Sequence, residues 1–588
     1  MGPCAPIRSA LRERWGLALV NCVGGSNQTG MPGILPMPSP PGECYRTLRD
    51  TRPVTRERRP LLDRRRRPAP NRPTTTERFR SKRLAPCSIE AFRHQTIPFC
   101  KMTTSMHPAT PETLPLAHLD FRIRVAIVGA GPAAFYAAVE LLRGEGTPCH
   151  VDMFDRLPTP YGLVRTGVAP DRPKVKTVTR KYEAEIESHL SRFRLFCNVE
   201  VGRDLSIDDL RLRYHAVILA TGARSDRMIG VVGETLPRVY SGADFAAWYN
   251  GHPEHRNDHF DLRGERVVVV GMGNVALDVA RLLVRTRREL TPTDIADHAL
   301  DDLARGRVRS VVVLGRSGPA QAAFTPDELE QLTQLEEADL VVAPTDLELD
   351  ARTRAQLDAG ELPRRVMENL RILRQRAVPA PRDGRRSVQL RFWAAPDEII
   401  GDDRGVRGVR IRVMEPQADA AGIVRPRATD RTEHIDCHAV FRAVGSAIVP
   451  TPGVPFDQAT GTIPHDRGQV LDRPGGLPVA GLFVAGWAKH GPKGIIATNK
   501  LDAVETVQTL REAHATGLWR DTCKSPTLVD IPDLLSSRGI AYVTYADWKL
   551  IDAHEVDTGL AAGRPRRKLS DVREMFDVIA SSRRPAGR

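Results

Sequence analysis

Arg124-Val125-Ala126-Ile127-Val128-Gly129-Ala130-Gly131-Pro132-Ala133-Ala134 is the stretch on which the reading of this chain turns. After the leading arginine it is short, apolar and partly β-branched, as a parallel strand buried on both faces must be. It runs straight into G-x-G-x-x-A and then into a helical stretch, Phe135–Leu142. Gly129 permits the tight turn, Gly131 lets a pyrophosphate approach the backbone, and Ala134 allows close helix–strand packing. The helix start offers free N–H groups to the anion. A following strand, His150–Phe154, ends at Asp155, 24 residues past Gly131, where a carboxylate can accept hydrogen bonds from a ribose. Strand, glycine turn, helix and acid together predict a dinucleotide site, which a lone glycine motif would not.

The pattern returns at Val267–Val270, Gly271-Met272-Gly273-Asn274-Val275-Ala276 and a helix Leu277–Arg285. The partner strand, Val311–Leu314, comes late enough to predict an extra helix around Asp294–Leu303. It ends in Gly315-Arg316-Ser317, where a guanidinium stands in place of an acid. Arg316 suits a 2′-phosphate and favours NADP over NAD. Two nucleotide folds in one chain suggest one fixed and one exchangeable dinucleotide, and a flavin with a nicotinamide is the economical pair.

The rest of the chain narrows the field. Of 588 residues, 41% are apolar and 27% charged, which excludes a collagen-like or wholly disordered chain. No run of about 18 apolar residues occurs, so no membrane helix is expected. The +14 net charge is concentrated: residues 1–101 hold 20 Lys+Arg against 7 Asp+Glu, and the remainder is close to neutral. That first segment carries 14 of the 46 prolines and the run Arg64-Arg65-Arg66-Arg67. It is expected to be a disordered basic extension over 1–119. It reads as a transit peptide, as a nucleic-acid-binding tail, or as translation from a start set too early, with Met102 or Met106 the working start. The third reading is preferred, because patterning begins abruptly after it. No nucleic-acid partner is then expected. The nine cysteines form no C-x-x-C, so neither a metal site, an iron–sulfur cluster nor a redox dithiol is encoded at familiar spacing. Scattered reduced thiols suit a cytoplasmic protein.

Two further segments close the first fold. Ala216–Gly222 is another buried strand ending in glycine, and Gly481–Trp487 repeats the pattern before Gly491–Ile496 and a helix, Ala497–Leu510. The second helix start could stabilise negative charge on a reduced flavin. These pieces, with PTPYGLVRTGVAPDRPKVK (158–176), GMGNVALDVARLL (271–283), GPAQAAFTPDEL (318–329) and AGWAKHGPKGIIATNKLDA (485–503), resemble the adrenodoxin-reductase-like ferredoxin–NADP reductases in their actinobacterial form, from about Arg122 to Lys568.

The resemblance implies an α/β fold with two dinucleotide-binding Rossmann-like domains, the NADP domain inserted into the FAD domain. Expected boundaries are 120–225 and 440–588 for the FAD domain and 226–439 for the NADP domain. Non-covalent FAD would touch Gly129, Ala130, Gly131, Pro132, Ala134, Asp155, Leu163, Trp487, Gly494, Ile495 and Ile496, with a backbone contact near Glu200. NADP(H), or NAD(H), would meet Arg227, Gly271, Gly273, Asn274, Val275, Ala276, Arg316, Ser317, Glu328 and Gly494. The activity implied is hydride transfer between NADP(H) and FAD, coupled to one-electron transfer with a ferredoxin.

The chain departs from the family twice. Members carry two arginines where Arg316-Ser317 stand, so phosphate discrimination weakens here. Members also carry a histidine within the segment that reads Ala169-Pro170-Asp171-Arg172-Pro173, and Arg172 cannot exchange a proton near neutral pH. Asp278 and Arg172 are expected to pair beside the nicotinamide as positioning groups. An acidic ferredoxin needs a basic docking face; the candidates are Arg281, Arg285, Arg287 and Arg288, then Arg364, Arg365, Arg371, Arg374 and Arg376, then Arg564–Lys568. Two competing readings share the fold: a reductase whose acceptor is a quinone, free flavin or dye, and a non-catalytic nucleotide-sensing flavoprotein.

Overall fold

A computed structural model describes residues 123–144, 148–419, 422–517 and 530–583, so the expected disordered extension lies outside the described residues. The chain lays down β1 (Ile123–Val128), β2 (Cys149–Asp155), β3 (Phe193–Cys197) and β4 (Ala216–Leu219). A short β5 (Ser225–Asp226) precedes β6 (Val239–Ser241), β7 (Arg266–Val270), β8 (Ser310–Leu314), β9 (Ala338–Val341) and β10 (Arg386–Arg391). Three long strands follow: β11 (Ala394–Asp402), β12 (Gly405–Ala418) and β13 (Val424–Asp436). The series ends with β14 (Ala439–Arg442), β15 (Ser446–Ala447), β16 (His465–Asp466), β17 (Gln469–Leu471) and β18 (Pro478–Val484).

Two sheets organise these strands. One runs β16-β17-β18-β4-β1-β2-β3 and takes strands from both ends of the described chain. The other runs β6-β14-β7-β8-β10-β9, every pair parallel, and is built wholly from the middle. The chain passes from one to the other at β5 and returns at β15, and these two strands pair antiparallel, Ser446 with Asp226 and Ala447 with Ser225. The expected boundary between 439 and 440 therefore cuts β14, a strand of the second sheet; the crossing lies a few residues later, at the β5–β15 ladder.

Alternation of buried side chains explains why both central strands are apolar over Val125–Val128 and Val267–Val270. In β1, Val125 and Ile127 enter one core cluster while Ala126 and Val128 enter the other. In β7, Val267 and Val269 face the cluster around Phe245 and Leu277, and Val268 and Val270 face the opposite one. That opposite face is covered by Ile399, Val409 and Ile411 of the three-stranded β11-β12-β13 sheet. The helix Pro132–Arg143 packs on the first sheet, and Asn274–Val284 packs on the second. An extra helix, Asp297–Arg305, lies before β8 as the late partner strand required. No helix among the described residues is long and apolar enough to cross a membrane.

Candidate functional site

Each glycine fingerprint forms the same local structure. Gly129 turns at φ +107° and Gly271 at φ +135°, a region in which only glycine is at ease. A β-carbon on Gly129 would sit 2.3 Å from the Ala220 carbonyl oxygen, and one on Gly271 would sit 2.2 Å from that of Ala443. The next glycine in each motif is different. Gly131 and Gly273 cap their helices with extended backbone and no side-chain cap, and a β-carbon on either would meet nothing within 4 Å. Each therefore leaves open space directly above a helix N-terminus, which is what an incoming pyrophosphate requires. Ala134 and Ala276, at the motif ends, are fully buried against their sheets.

Around the first cradle, Tyr161 donates its N–H to the Ala130 carbonyl at 2.8 Å, and Gly162 stands against Gly131. Asp155 accepts N–H bonds from Ala130 at 2.7 Å and from Leu157 at 2.9 Å. Burial raises its pKa against the pull of those two bonds. The carboxylate expected to meet a ribose thus also locks the cradle turn, and each oxygen retains a second lone pair. Near the expected backbone contact, the Glu200 N–H donates to Asp204 at 2.8 Å and its carbonyl closes the turn to Arg203 and Asp204. Its backbone is engaged locally. The turn after β18 holds Trp487, whose indole N–H donates to the Lys493 carbonyl at 3.1 Å, and Gly494 at φ +85°. The 18-residue helix Thr498–Ala515 starts there with no side-chain cap.

Around the second cradle, the Asn274 side chain accepts from the Thr325 N–H at 2.9 Å. Arg227 donates from Nε to the Ser446 carbonyl at 3.2 Å beside the β5–β15 crossing. Arg316 is exposed and Ser317 half-buried at the end of β8. Next to the glycine turns, Leu163 is 44% exposed, Val275 43% and Ile495 52%, and all three are among the residues expected to touch a nucleotide.

A single segment, 161–172, connects the cradles. It begins at Tyr161 beside Ala130, and Ala169 enters the core of the second sheet. Asp171 then grips Arg281 of the second fingerprint helix with two bonds of 2.7 and 2.9 Å. Arg281 is completely buried and also pairs with Asp278 at 2.8 Å. Burial resists ionisation of Asp171, but Arg281 and then Arg285 outweigh it and hold the carboxyl below its usual range. Asp278 lies on the other side of the balance: burial dominates over Arg281 and raises its pKa.

Here the expected pairing is corrected. Arg172 bonds to Glu328, not to Asp278, whose partner is Arg281. The docking candidates are corrected too. Arg281 is buried and Arg285 is tied to Asp171 at 3.0 Å, so neither forms a surface; only Arg287 and Arg288 of that group are exposed. Arg364, Arg365, Arg371, Arg374 and Arg376 are exposed along one helix, Arg364–Arg376.

Residues 564–568 form a strap rather than a patch. Arg564 donates to the Thr293 carbonyl at 3.1 Å and pairs with Asp297. Lys568 reaches the Arg165 carbonyl at 3.1 Å, Asn250 at 2.9 Å and Asp294 at 3.2 Å. Lys176 holds the same Asp294 at 2.7 Å. Behind the Leu163 loop, Arg165 pairs with the fully buried Glu555 at 2.8 Å. Sequence reading missed this network, because its partners lie hundreds of residues apart. The one signal was charge in otherwise apolar text, as in Asp278-Val-Ala-Arg281.

Among the described residues one group, His252, Glu254 and His255, has ligand atoms close enough to share a metal ion. The Arg156 guanidinium is ion-paired to Glu254 and 3.5 Å from His252, and it fills the position a cation would take. Cys149, Cys197 and Cys437 are buried and form no disulfide.

Residues 123–312 match the family model described as pyridine nucleotide-disulphide oxidoreductase. The chain is 42% identical over 461 residues to NADPH-ferredoxin reductase FprA of Mycobacterium tuberculosis strain H37Rv, covering 77% of this chain and 98% of that one. It is 38% identical over 466 residues to human mitochondrial NADPH:adrenodoxin oxidoreductase, covering 78% and 92%. The solved structure of M. tuberculosis FprA in complex with NADPH superposes with a TM-score of 0.71 at 40% identity, covering 78% of this chain and 99% of that one.

Proposed function

The chain belongs to the family of NADPH-ferredoxin reductases and NADPH:adrenodoxin oxidoreductases, and we propose that its first cradle holds FAD and its second receives NADPH. It is an oxidoreductase whose partner is an iron–sulfur electron carrier. The observation that carries the site reading is the pair of open glycine cradles joined by segment 161–172. FAD, when bound, accepts a hydride and releases electrons singly to the carrier. The chain supplies placement. Gly129, Ala130, Gly131, Pro132 and Ala134 would take the FAD pyrophosphate, Asp155 the ribose, and Leu163, Trp487, Gly494, Ile495 and Ile496 the flavin end.

On the NADPH side, Gly271, Gly273, Asn274, Val275 and Ala276 would receive the pyrophosphate, and Arg227 and Arg316 the adenine-ribose phosphate, with Ser317 offering one hydroxyl. Arg172 and Glu328 form a fixed ion pair between the two sheets, so Arg172 orients without exchanging a proton at neutral pH. Asp278 acts through Arg281 and Asp171, holding the second fingerprint helix to segment 161–172. We place the protein in the cytoplasm and its carrier among acidic ferredoxins, met by the exposed arginines of the helix Arg364–Arg376.

Anaerobic mixing of the purified protein with NADPH, followed at the flavin absorbance band, tests the reading. Bleaching of a bound flavin, then salt-sensitive reduction of a ferredoxin, is expected. A protein that neither carries nor takes up FAD would overturn it.

A further inference from the structure

Beyond the cradles, the flavin side contains a buried charge cluster with no part in the assignments above. Strand β18 ends at Val484, and Gly486 turns the chain at φ +72°. A β-carbon on Gly486 would lie 2.6 Å from that of Ala133, so this turn is pressed onto the first residues of the helix Pro132–Arg143. The Gly486 N–H donates to the carboxylate of Asp502, the fifth residue of the helix Thr498–Ala515. Lys489, only 5% exposed, sits 2.8 Å from the same carboxylate and 2.6 Å from Glu505. Its ammonium also approaches the Thr506 hydroxyl at 3.3 Å, and that hydroxyl donates to the Val484 carbonyl at 3.0 Å. Two histidines face the cluster: His465 lies 3.2 Å from the Lys489 carbonyl, and His490 lies 4.0 Å from Asp502.

The cluster ties both ends of the turn 486–502, whose middle is exposed and contains Gly494, Ile495 and Ile496. It also places charge there. One ammonium faces two carboxylates, for a net charge of one negative, beside a helix N-terminus of opposite sign. We propose that Lys489 and Asp502 are positioning residues that set the reduction potential of the flavin, Asp502 through the negative charge it places at the turn it anchors and Lys489 by cancelling part of that charge. The proposal rests on the assignment of FAD to the first cradle. A reduced flavin gains negative charge, and in a dry site a nearby fixed charge acts strongly on that gain.

The sign of the effect separates this role from mere support. Two supporting residues, when removed, loosen the turn in the same way and shift the potential in the same direction. Two charges of opposite sign shift it in opposite directions. The test uses the FAD-loaded full chain and the variants Lys489→Met, Asp502→Asn and Glu505→Gln. The midpoint potential is measured at pH 7 against a reference dye, and FAD affinity by absorbance after dialysis.

Asp502→Asn keeps an acceptor for the Gly486 N–H, and Glu505 is half-exposed at its side chain, so both variants should fold. Lys489→Met is expected to lower the potential, Asp502→Asn to raise it, and Glu505→Gln to raise it by less. Should Lys489→Met fail to fold, upward shifts in the other two carry the proposal. Shifts of Lys489→Met and Asp502→Asn in one direction would overturn it, as would an unmoved potential in both carboxylate variants. A wild-type chain that binds no FAD would instead remove the reading beneath it.

Discussion

At the first cradle, a β-carbon on Gly162 would lie 3.1 Å from the Gly131 Cα, and Tyr161 donates its N–H to the Ala130 carbonyl at 2.8 Å; at the second, Ala323 donates to the matching Met272 carbonyl at 3.0 Å and Thr325 to the Asn274 side chain at 2.9 Å, while Val275 and Arg316 face outward. The two motifs are near copies, so the difference comes from what the rest of the chain packs around them. The first is flanked by segment 161–172, itself backed by Arg165, Glu555 and the strap. The second is flanked by residues 323–325, bonded to Met272 and Asn274, and held from behind by Arg281. A cradle whose flanking segment is braced by a buried charge network suits a resident group, and one with Val275 and Arg316 exposed beside it suits a nucleotide that enters and leaves each cycle.

The strongest way to break the comparison is to fill each cradle. Gly131→Val and Gly273→Val add atoms only to open space at extended backbone, so both proteins should fold. Gly131→Val is expected to purify colourless. Gly273→Val is expected to stay yellow while its Kd for NADPH rises roughly 100-fold, through lost helix-terminus contacts. Gly129→Ala and Gly271→Ala, forced against carbonyl oxygens at positive φ, should instead lose about 3 kcal/mol or more of stability.

Next in size is the anchoring of the helices. Each fingerprint helix has an arginine in its last turn. Arg281 is buried between Asp171 and Asp278, whereas Arg143 is exposed beside Glu185. Arg281→Met leaves the buried Asp278 without its cation and Asp171 with Arg285 alone, and should cost about 3–5 kcal/mol. Arg143→Met should cost about 0.5 kcal/mol or less. Urea denaturation of both variants checks the contrast, and equal losses would deny that the second helix is held from behind.

The reading of the sequence succeeded and failed along the same line. β1 and β7 were legible because their last four residues, buried on both faces, must be apolar, Gly129 and Gly271 because their backbone angles favour glycine, and Gly131 and Gly273 because the motif keeps the space above the helix start clear. Arg281 and Arg285 were misread as surface, since a helix with cations at Arg281, Arg285 and Arg288 looks basic until its packing is known. Arg172 was given the wrong partner because Glu328 is 156 residues away, and sequence spacing carries no information about contacts across two sheets. The strap at 564–568 was read as a patch for the same reason.

Asp294 offers a pH-dependent probe of the strap. Burial resists its ionisation, but Lys568 and Lys176 outweigh burial and pull its pKa down to about 2. The folded value lies below the ordinary value of about 3.9, so the stabilisation is complete above pH ~4 and disappears as pH falls towards 2. Wild type should exceed an Asp294→Ala, Lys568→Met double variant, which removes the carboxylate together with its buried cation, by roughly 2 kcal/mol near pH 6, with the gap narrowing below pH ~4. A gap that does not narrow on acidification would remove Asp294 from the strap.

Specificity at the open cradle is a smaller effect. Arg316→Ala should lower the NADPH-to-NADH ratio of kcat/KM by about tenfold, the size of one charge-assisted hydrogen bond. Ser317→Arg should raise it by a similar factor. If the Arg316 variant keeps the wild-type ratio, the phosphate is recognised elsewhere, Arg227 being the nearest alternative.

The smallest expected effect concerns the ion pair across the cleft. Arg172 is charged at every accessible pH, so the Arg172–Glu328 bond is expected to add no ionisation to flavin reduction near neutrality. Arg172→His replaces a fixed cation by a group that titrates near 6.5. Above that pH the imidazole is neutral and Glu328, largely buried, faces it without a full counter-charge. The observed rate of flavin reduction should then acquire a single inflection between about pH 6 and 8, with a change of less than tenfold, while wild type stays flat. Glu328→Gln in the same background should abolish the inflection's dependence on the pair by removing the charge the imidazole answers to. A wild-type profile that already bends there would mean that a group other than Arg172 moves a proton between the two cradles.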